Sequence, residues 1–334
     1  MRLVDATKPM FAKHETFHPR YGWFRKAYNF VAADPQIFSR EDAPVRVGVG
    51  KNMVRAIRFW GIAAKLIDVG QGSSRHRTRD LVPTCLGHSL FGDSGWDRYM
   101  EDPGTLWLLH WLLLSPPCLL PVWWLAFNEF HALEFSDDHL EAVVATQLEA
   151  AAGWAAPHPS SVRKDVSALL RTYAPAERSR RIGIEDVLDC PLRELNLIGR
   201  SATTHRYRFA LGAKRALPPA VLAYAALDYV ARTNAGGNTV TLGRLAHEPG
   251  GPGRIFKLTE GELFAALESL VDGVDSLALT ATTGSVQLSW SDEPREIGKE
   301  ILDCYYGFSI PNTQVGHAVH KDEWSTVFAS AKGL

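Results

Sequence analysis

The densest reactive stretch of the chain is HETFHPRYGW, residues 14–23, where histidine, glutamate, arginine and tyrosine crowd among aromatic rings. These types can ligate a metal, move protons and hold an anion. HETFH also satisfies HExxH, in which two histidines one helical turn apart bind zinc beside a catalytic glutamate. Pro19 follows His18 directly and disfavours a helix there. No third ligand stands at a recognisable spacing, so the zinc-protease reading is set aside.

A second stretch, VGVGKN (Val47 to Asn52), has the look of a phosphate-binding loop. A Walker A motif needs glycine at position 45 and serine or threonine at position 52, which are Val45 and Asn52 here. Nucleotide hydrolysis is therefore not expected of it. A Gly-Lys pair opening a helix can still cradle a phosphate of a DNA backbone, because free N–H groups and the helix dipole favour anions. The spacing predicts that helix from about Asn52, with Met53, Ile57, Trp60 and Ala64 on one apolar stripe and Lys51, Arg55, Arg58 and Lys65 on another face. A basic helix after a tight turn is similar to the second helix of a helix-turn-helix. SSRHRTRD (Ser73 to Asp80), with Arg75 and Arg77, would be the tip of a wing. Farther on, GPGRIFK offers a Gly/Pro turn ending in basic residues Arg254 and Lys257. Lys51, Asn52, Arg55 and Arg58 are the expected DNA contacts, with Arg75, Arg77, Arg254 and Lys257 as secondary ones. Contact with six to eight phosphates would give log K a salt slope of roughly −5 to −7.

The elements that must position these residues can be read along the chain. Its 334 residues, 46% hydrophobic and 22% charged, exclude wholesale disorder. The formal net charge of −1 hides segregation: residues 1–80 carry 15 basic against 7 acidic side chains, residues 81–160 carry 1 against 10. Residues 161–220 return to 12 against 6. Such blocks suggest that particular modules face a polyanion. Four scattered cysteines form no CxxC pair, and no signal-peptide profile opens the chain, so a reducing cytoplasm is expected. Leu106 to Phe127 is uncharged and long enough to span a bilayer. Pro116, Pro117 and Pro121 interrupt it and both flanks are acidic, which predicts two buried segments joined by a Ser-Pro-Pro turn rather than a membrane span. His110 within it reads as a hydrogen-bonded core histidine, and Asn128 and Glu129 as a cap. Asp165, Glu185 and Asp186 lie among basic residues, as solvated ion-pair partners or carboxylates near a metal.

Helices are expected over Ser136–Ala152, Ser161–Tyr173, Pro219–Ala231, Leu242–Ala246 and Glu260–Leu270. A hairpin turning at Thr283-Gly284 should have Val274, Leu277, Leu279, Val286, Leu288 and Trp290 as strand residues. The expected fold is mainly α with small β hairpins (α+β), two winged-helix-like modules around a helical middle region. The divisions are 8–92, an N-terminal winged-helix-like DNA-binding region; 93–215, the helical middle; 216–306, a C-terminal winged-helix-like domain; and 307–334, a flexible tail outside it.

The motifs HETFHPRYGW, GVGKNMVRAIRFW, PTCLGHSLFG, EDPGTLWLLHW, WWLAFNEF, CPLRELNLI and GPGRIFKLTEGEL, in this order, resemble the SspB-like proteins, from Phe11 to Tyr306. In their systems DNA receives phosphorothioate marks on one strand as part of phage defence. The resemblance implies a DNA nickase that opens one strand of duplex DNA for sulfur insertion. It also implies a divalent metal, magnesium or manganese, and as partners a cysteine desulfurase, an ATPase and a PAPS-reductase-like protein. It transfers no catalytic set. Phosphodiester hydrolysis needs an activated water or hydroxyl, charge stabilisation and usually a carboxylate-held metal. The N-terminal stretch supplies these types: Glu15 as metal ligand or base, His14 as general acid or base, Arg20 as phosphate clamp and Tyr21 as nucleophile. Alternatively these residues pin the N-terminus by hydrogen bonds, and the protein is a non-catalytic DNA-recognition subunit that recruits the modification machinery. A homodimer is compatible with either role.

Overall fold

A computed structural model of the chain describes residues 1–70, 80–175, 190–201, 204, 206–234, 236–282 and 284–308. Helices dominate, joined by three small antiparallel sheets. Arg75, Arg77, Glu185, Asp186 and the tail from residue 309 lie outside the described residues.

The first stretch contains α1 (Leu3–Ala6), α2 (Trp23–Ala33), α3 (Ala43–Val47) and α4 (Lys51–Ala63), then β1 (Ile67–Val69) paired with β2 (Leu81–Pro83). Gly48, at a φ of 74°, ends α3, and Gly50 precedes α4, so the expected turn stands where the glycines put it. The cap of α4 is Gly50 rather than Asn52, which lies exposed in the first turn. Ile57, Trp60 and Ala64 are buried as the apolar stripe requires, and α2 packs across them.

The middle holds α5 (Cys85–Phe91), α6 (Pro103–Leu114), α7 (Pro121–Asn128), α8 (Asp137–Glu149) and α9 (Pro159–Tyr173), with β3 (Ile198–Arg200) paired to β4 (Tyr207–Phe209). The tryptophan-rich run divides into α6 and α7 at the prolines, and the Pro116–Pro117 peptide is cis. Every residue from Gly104 to Leu114 is buried, as is all of α7. A helix apolar all round belongs inside a core. No described helix is long and apolar enough to cross a membrane.

Then follow α10 (Pro219–Thr233), β5 (Thr239–Thr241), α11 (Leu242–His247), α12 (Pro252–Phe256), α13 (Glu260–Val271), β6 (Leu277–Thr282), β7 (Ser285–Trp290) and α14 (Pro294–Tyr305). The strand order is β5-β7-β6, with Leu288 opposite Val240 on one side and Leu279 on the other. Val274 falls in the turn before β6 rather than in the strand. Helix α13 starts with a capping box in which Thr259 and Glu262 exchange hydrogen bonds.

Candidate DNA-facing site

The loop of residues 11–18 is wedged between α4 and α9. Trp60 on α4 donates its indole N–H to the Phe17 carbonyl at 3.0 Å, and Arg171 on α9 donates to the Thr16 carbonyl at 2.6 Å. Asp165, also on α9 and buried, accepts the Ala12 backbone N–H at 2.8 Å and faces His14 Nε2 at 2.7 Å through the same oxygen. Ala12, Glu15 and Thr16 all have positive φ, at 53°, 52° and 67°. Three such non-glycine residues within five is backbone strain, held by the surrounding hydrogen bonds.

This geometry divides the expected catalytic set. His14 is 1% exposed, stacked near Trp60 and edge-on to Phe59 and Trp123. An imidazole sealed in that way cannot touch a phosphodiester, so the acid–base role expected of His14 is corrected to one that pins the loop. Asp165 is not solvated; it is the buried partner of His14, and among the described residues it belongs to no group of three metal-ligating side chains. Residues 13–16 form turns and Phe17 and His18 are irregular, with no helix, so HExxH lacks its metal geometry. Glu15, by contrast, lies at the surface with its carboxylate 3.6 Å from the Arg55 guanidinium. Arg20 lies 5.9 Å and 5.8 Å from the ring centroids of Phe17 and Trp23. Tyr21 is exposed, with its hydroxyl donating to the Met100 carbonyl at 3.1 Å.

On α4, Lys51, Asn52, Arg55 and Arg58 are exposed and share one face, opposite the buried stripe. Lys65 does not extend it. The helix ends at Ala63, Lys65 adopts a φ of 59°, and its ammonium turns inward onto the carbonyls of Leu112 and Ser115, the latter at 2.9 Å. Burial pushes its pKa down to about 7.

The secondary contacts separate as well. Lys257 is buried: its ammonium donates to the Phe127 carbonyl at 2.6 Å and lies 4.2 Å from the Phe209 ring centroid. Desolvation, helped by Arg254 and Lys214, lowers its pKa to about 7. The DNA contact expected of Lys257 is therefore corrected, because reaching a phosphate would strip a buried carbonyl of its donor. Arg254 is half-exposed, donating to the His247 carbonyl at 2.9 Å, with His131 Nδ1 at 3.1 Å. His110 is the core histidine its surroundings suggested, between the Tyr173 hydroxyl at 2.8 Å and the Ile255 carbonyl at 2.9 Å, with burial lowering its pKa to about 3. Asn128 ends α7 and accepts the Gly250 N–H at 2.7 Å.

A magnesium site is built from oxygen ligands, commonly one or two carboxylates with waters and substrate phosphates. Among the described residues no three of histidine, cysteine, aspartate and glutamate gather into a metal-holding group, and Glu15 stands beside a cation. The described residues do not fit a preassembled metal centre.

Residues 11–306 match the family described as Protein of unknown function (DUF4007). No curated protein matches the chain. Two crystal structures do. One of SspB is 38% identical, covers 93% of each chain and superposes with a TM-score of 0.86. One of a magnesium ion-bound SspB is 36% identical, covers 99% of this chain and 96% of its own, and superposes with a TM-score of 0.89.

Proposed function

Because the chain belongs to the DUF4007 family and is SspB-like along nearly its whole length, we propose that it is a DNA-binding nicking endonuclease serving single-strand phosphorothioate modification in phage defence. The observation that carries this reading is the meeting of Glu15 with the free basic face of α4, a carboxylate 3.6 Å from Arg55 at the edge of Lys51, Asn52 and Arg58. Lys51 and Asn52 stand at the helix start, where unpaired N–H groups favour a backbone phosphate. Arg55 and Arg58 would hold the phosphoryl oxygens, and Glu15 would accept the proton of the attacking water. The order α2, α3, α4, β1–β2 and the order α10, β5, α11, α12, α13, β6–β7 support a winged-helix-like reading of both ends. In that reading α4 is the recognition helix. The related magnesium ion-bound SspB supports a divalent metal as the cofactor to test. The cysteine desulfurase, the ATPase and the PAPS-reductase-like protein remain the partners this reading needs.

A second reading is a DNA-recognition subunit whose cutter is a partner. The lack of a metal-holding group among the described residues favours it.

Supercoiled plasmid incubated with the purified protein and magnesium or manganese, against a matched EDTA control, tests both. Wild type is run beside Glu15→Ala and Arg55→Ala, with gel-shift binding in parallel. Open circles that need metal and vanish in a folded, DNA-binding Glu15→Ala variant establish the nickase and its carboxylate. Binding with no nick under any condition overturns the first reading in favour of the second.

A further inference from the structure

Tyr21, Arg25 and Tyr28 follow one another at spacings of four and three, one face of the chain through α2, and each meets the segment 88–100. The Tyr21 hydroxyl reaches the Met100 carbonyl, the Arg25 guanidinium lies 4.4 Å from the Tyr99 ring centroid, and the Tyr28 hydroxyl is 2.7 Å from His88 Nδ1. Tyr21 and Tyr99 are 52% and 54% exposed, rings left in water that the core does not use. No carboxylate lies within ion-pair distance of Arg25 among the described residues, and Arg98, 5.9 Å from the same Tyr99 ring, pairs with the exposed Asp93 at 3.1 Å. Asp97 is turned inward, accepting from the Glu101 and Asp102 N–H groups and the Thr105 hydroxyl, which leaves Glu101 as the further exposed acid at this edge. Burial, then Asp93, raises the pKa of the Tyr28 phenol, and the His88 imidazole it meets is exposed.

We propose that this surface holds single-stranded DNA, with unstacked bases lying on Tyr99 and Tyr21 and backbone phosphates meeting Arg25, Arg98 and His88. Exposed aromatic faces interleaved with cations are what binds an open strand, because every base has a π-face but a duplex hides it. A duplex, which offers phosphates and groove edges instead, suits the α4 face. The inference rests on DNA being the ligand, and it gives a strand released at the nick a place on the same chain.

The test is fluorescence anisotropy of the full-length protein with a labelled oligothymidylate and, separately, a labelled duplex at one fixed salt concentration. Tyr99→Ala is expected to weaken single-strand binding on the order of tenfold while duplex binding holds, and Tyr99→Phe, which keeps the ring, should restore it. Three outcomes overturn the proposal: no single-strand binding by wild type, equal binding by wild type and Tyr99→Ala, or equal loss in Tyr99→Ala and Tyr99→Phe. Loss of duplex binding together with single-strand binding in Tyr99→Ala overturns it too. Single-strand binding that depends on Tyr99 in a protein that ignores the duplex leaves this proposal standing and removes the α4 reading, so the two fail separately.

Discussion

Asp165 on α9 anchors the loop that carries Glu15, and removal of the two should have opposite consequences. Asp165 is the buried acceptor for both the Ala12 N–H and His14. Asp165→Ala would strand two buried groups, and we expect a loss of about 3 kcal/mol in urea unfolding. Asp165→Asn keeps an acceptor oxygen and should lose less than half of that. Glu15 pairs at 3.6 Å with an exposed arginine, a contact worth at most about 1 kcal/mol. Glu15→Ala should therefore unfold at a urea midpoint close to that of wild type while losing the nick. A variant that loses both would assign Glu15 to the fold. HETFH was legible in the sequence as a reactive cluster, but its division into sealed histidines and a half-exposed Glu15 was not. The partner that decides it, Asp165, stands 151 positions away from His14.

At the scale of elements, α6 and α7 are apolar enough to be swallowed whole, and burial leaves their C-terminal carbonyls needing donors. Two lysines from elsewhere supply them: Lys65 caps Leu112 and Ser115 at the end of α6, and Lys257 caps Phe127 at the end of α7. Burial holds both ammonium groups at about 7, below the ordinary lysine value of 10.5. Between these values the unfolded chain binds more protons than the folded one, so stability should rise as pH climbs from about 7 toward 10.5. Below about 7 both states are protonated and this contribution is flat. Unfolding free energies measured across that range should show a shallower rise in Lys257→Met than in wild type; identical slopes would mean that Lys257 keeps its proton throughout. The helices themselves were legible: Pro116, Pro117 and Pro121 broke the apolar run, and Ser136 caps α8 as its acidic first turn suggested. Lys65 and Lys257 were misread because periodicity and charge place a residue along the chain, while the φ near 60° that turns each one inward belongs to the tertiary contacts.

For the whole molecule, the charge blocks of the sequence find a partial expression. The basic first block presents Lys51, Arg55 and Arg58 to solvent, whereas the basic residues withdrawn into the core are lost to any polyanion. With Lys257 removed from the contact set, about four phosphates remain to be neutralised by the described residues, which corresponds to a salt slope of roughly −4. Gel-shift affinities measured over a range of salt should give that value, and Arg55→Ala should reduce it by about one. A slope of roughly −5 would bring Arg75 and Arg77 into the contact. The sequence by itself determined that the chain buries a tryptophan-rich pair of helices, opens α4 after a glycine turn, and carries a motif order shared with SspB-like proteins. Local spacing, proline geometry and composition suffice for those. Only the tertiary structure decided which ionisable side chains face water, because His14, Asp165, Lys65 and Lys257 are withdrawn by partners distant in sequence, and burial of a charge depends on the whole fold around it.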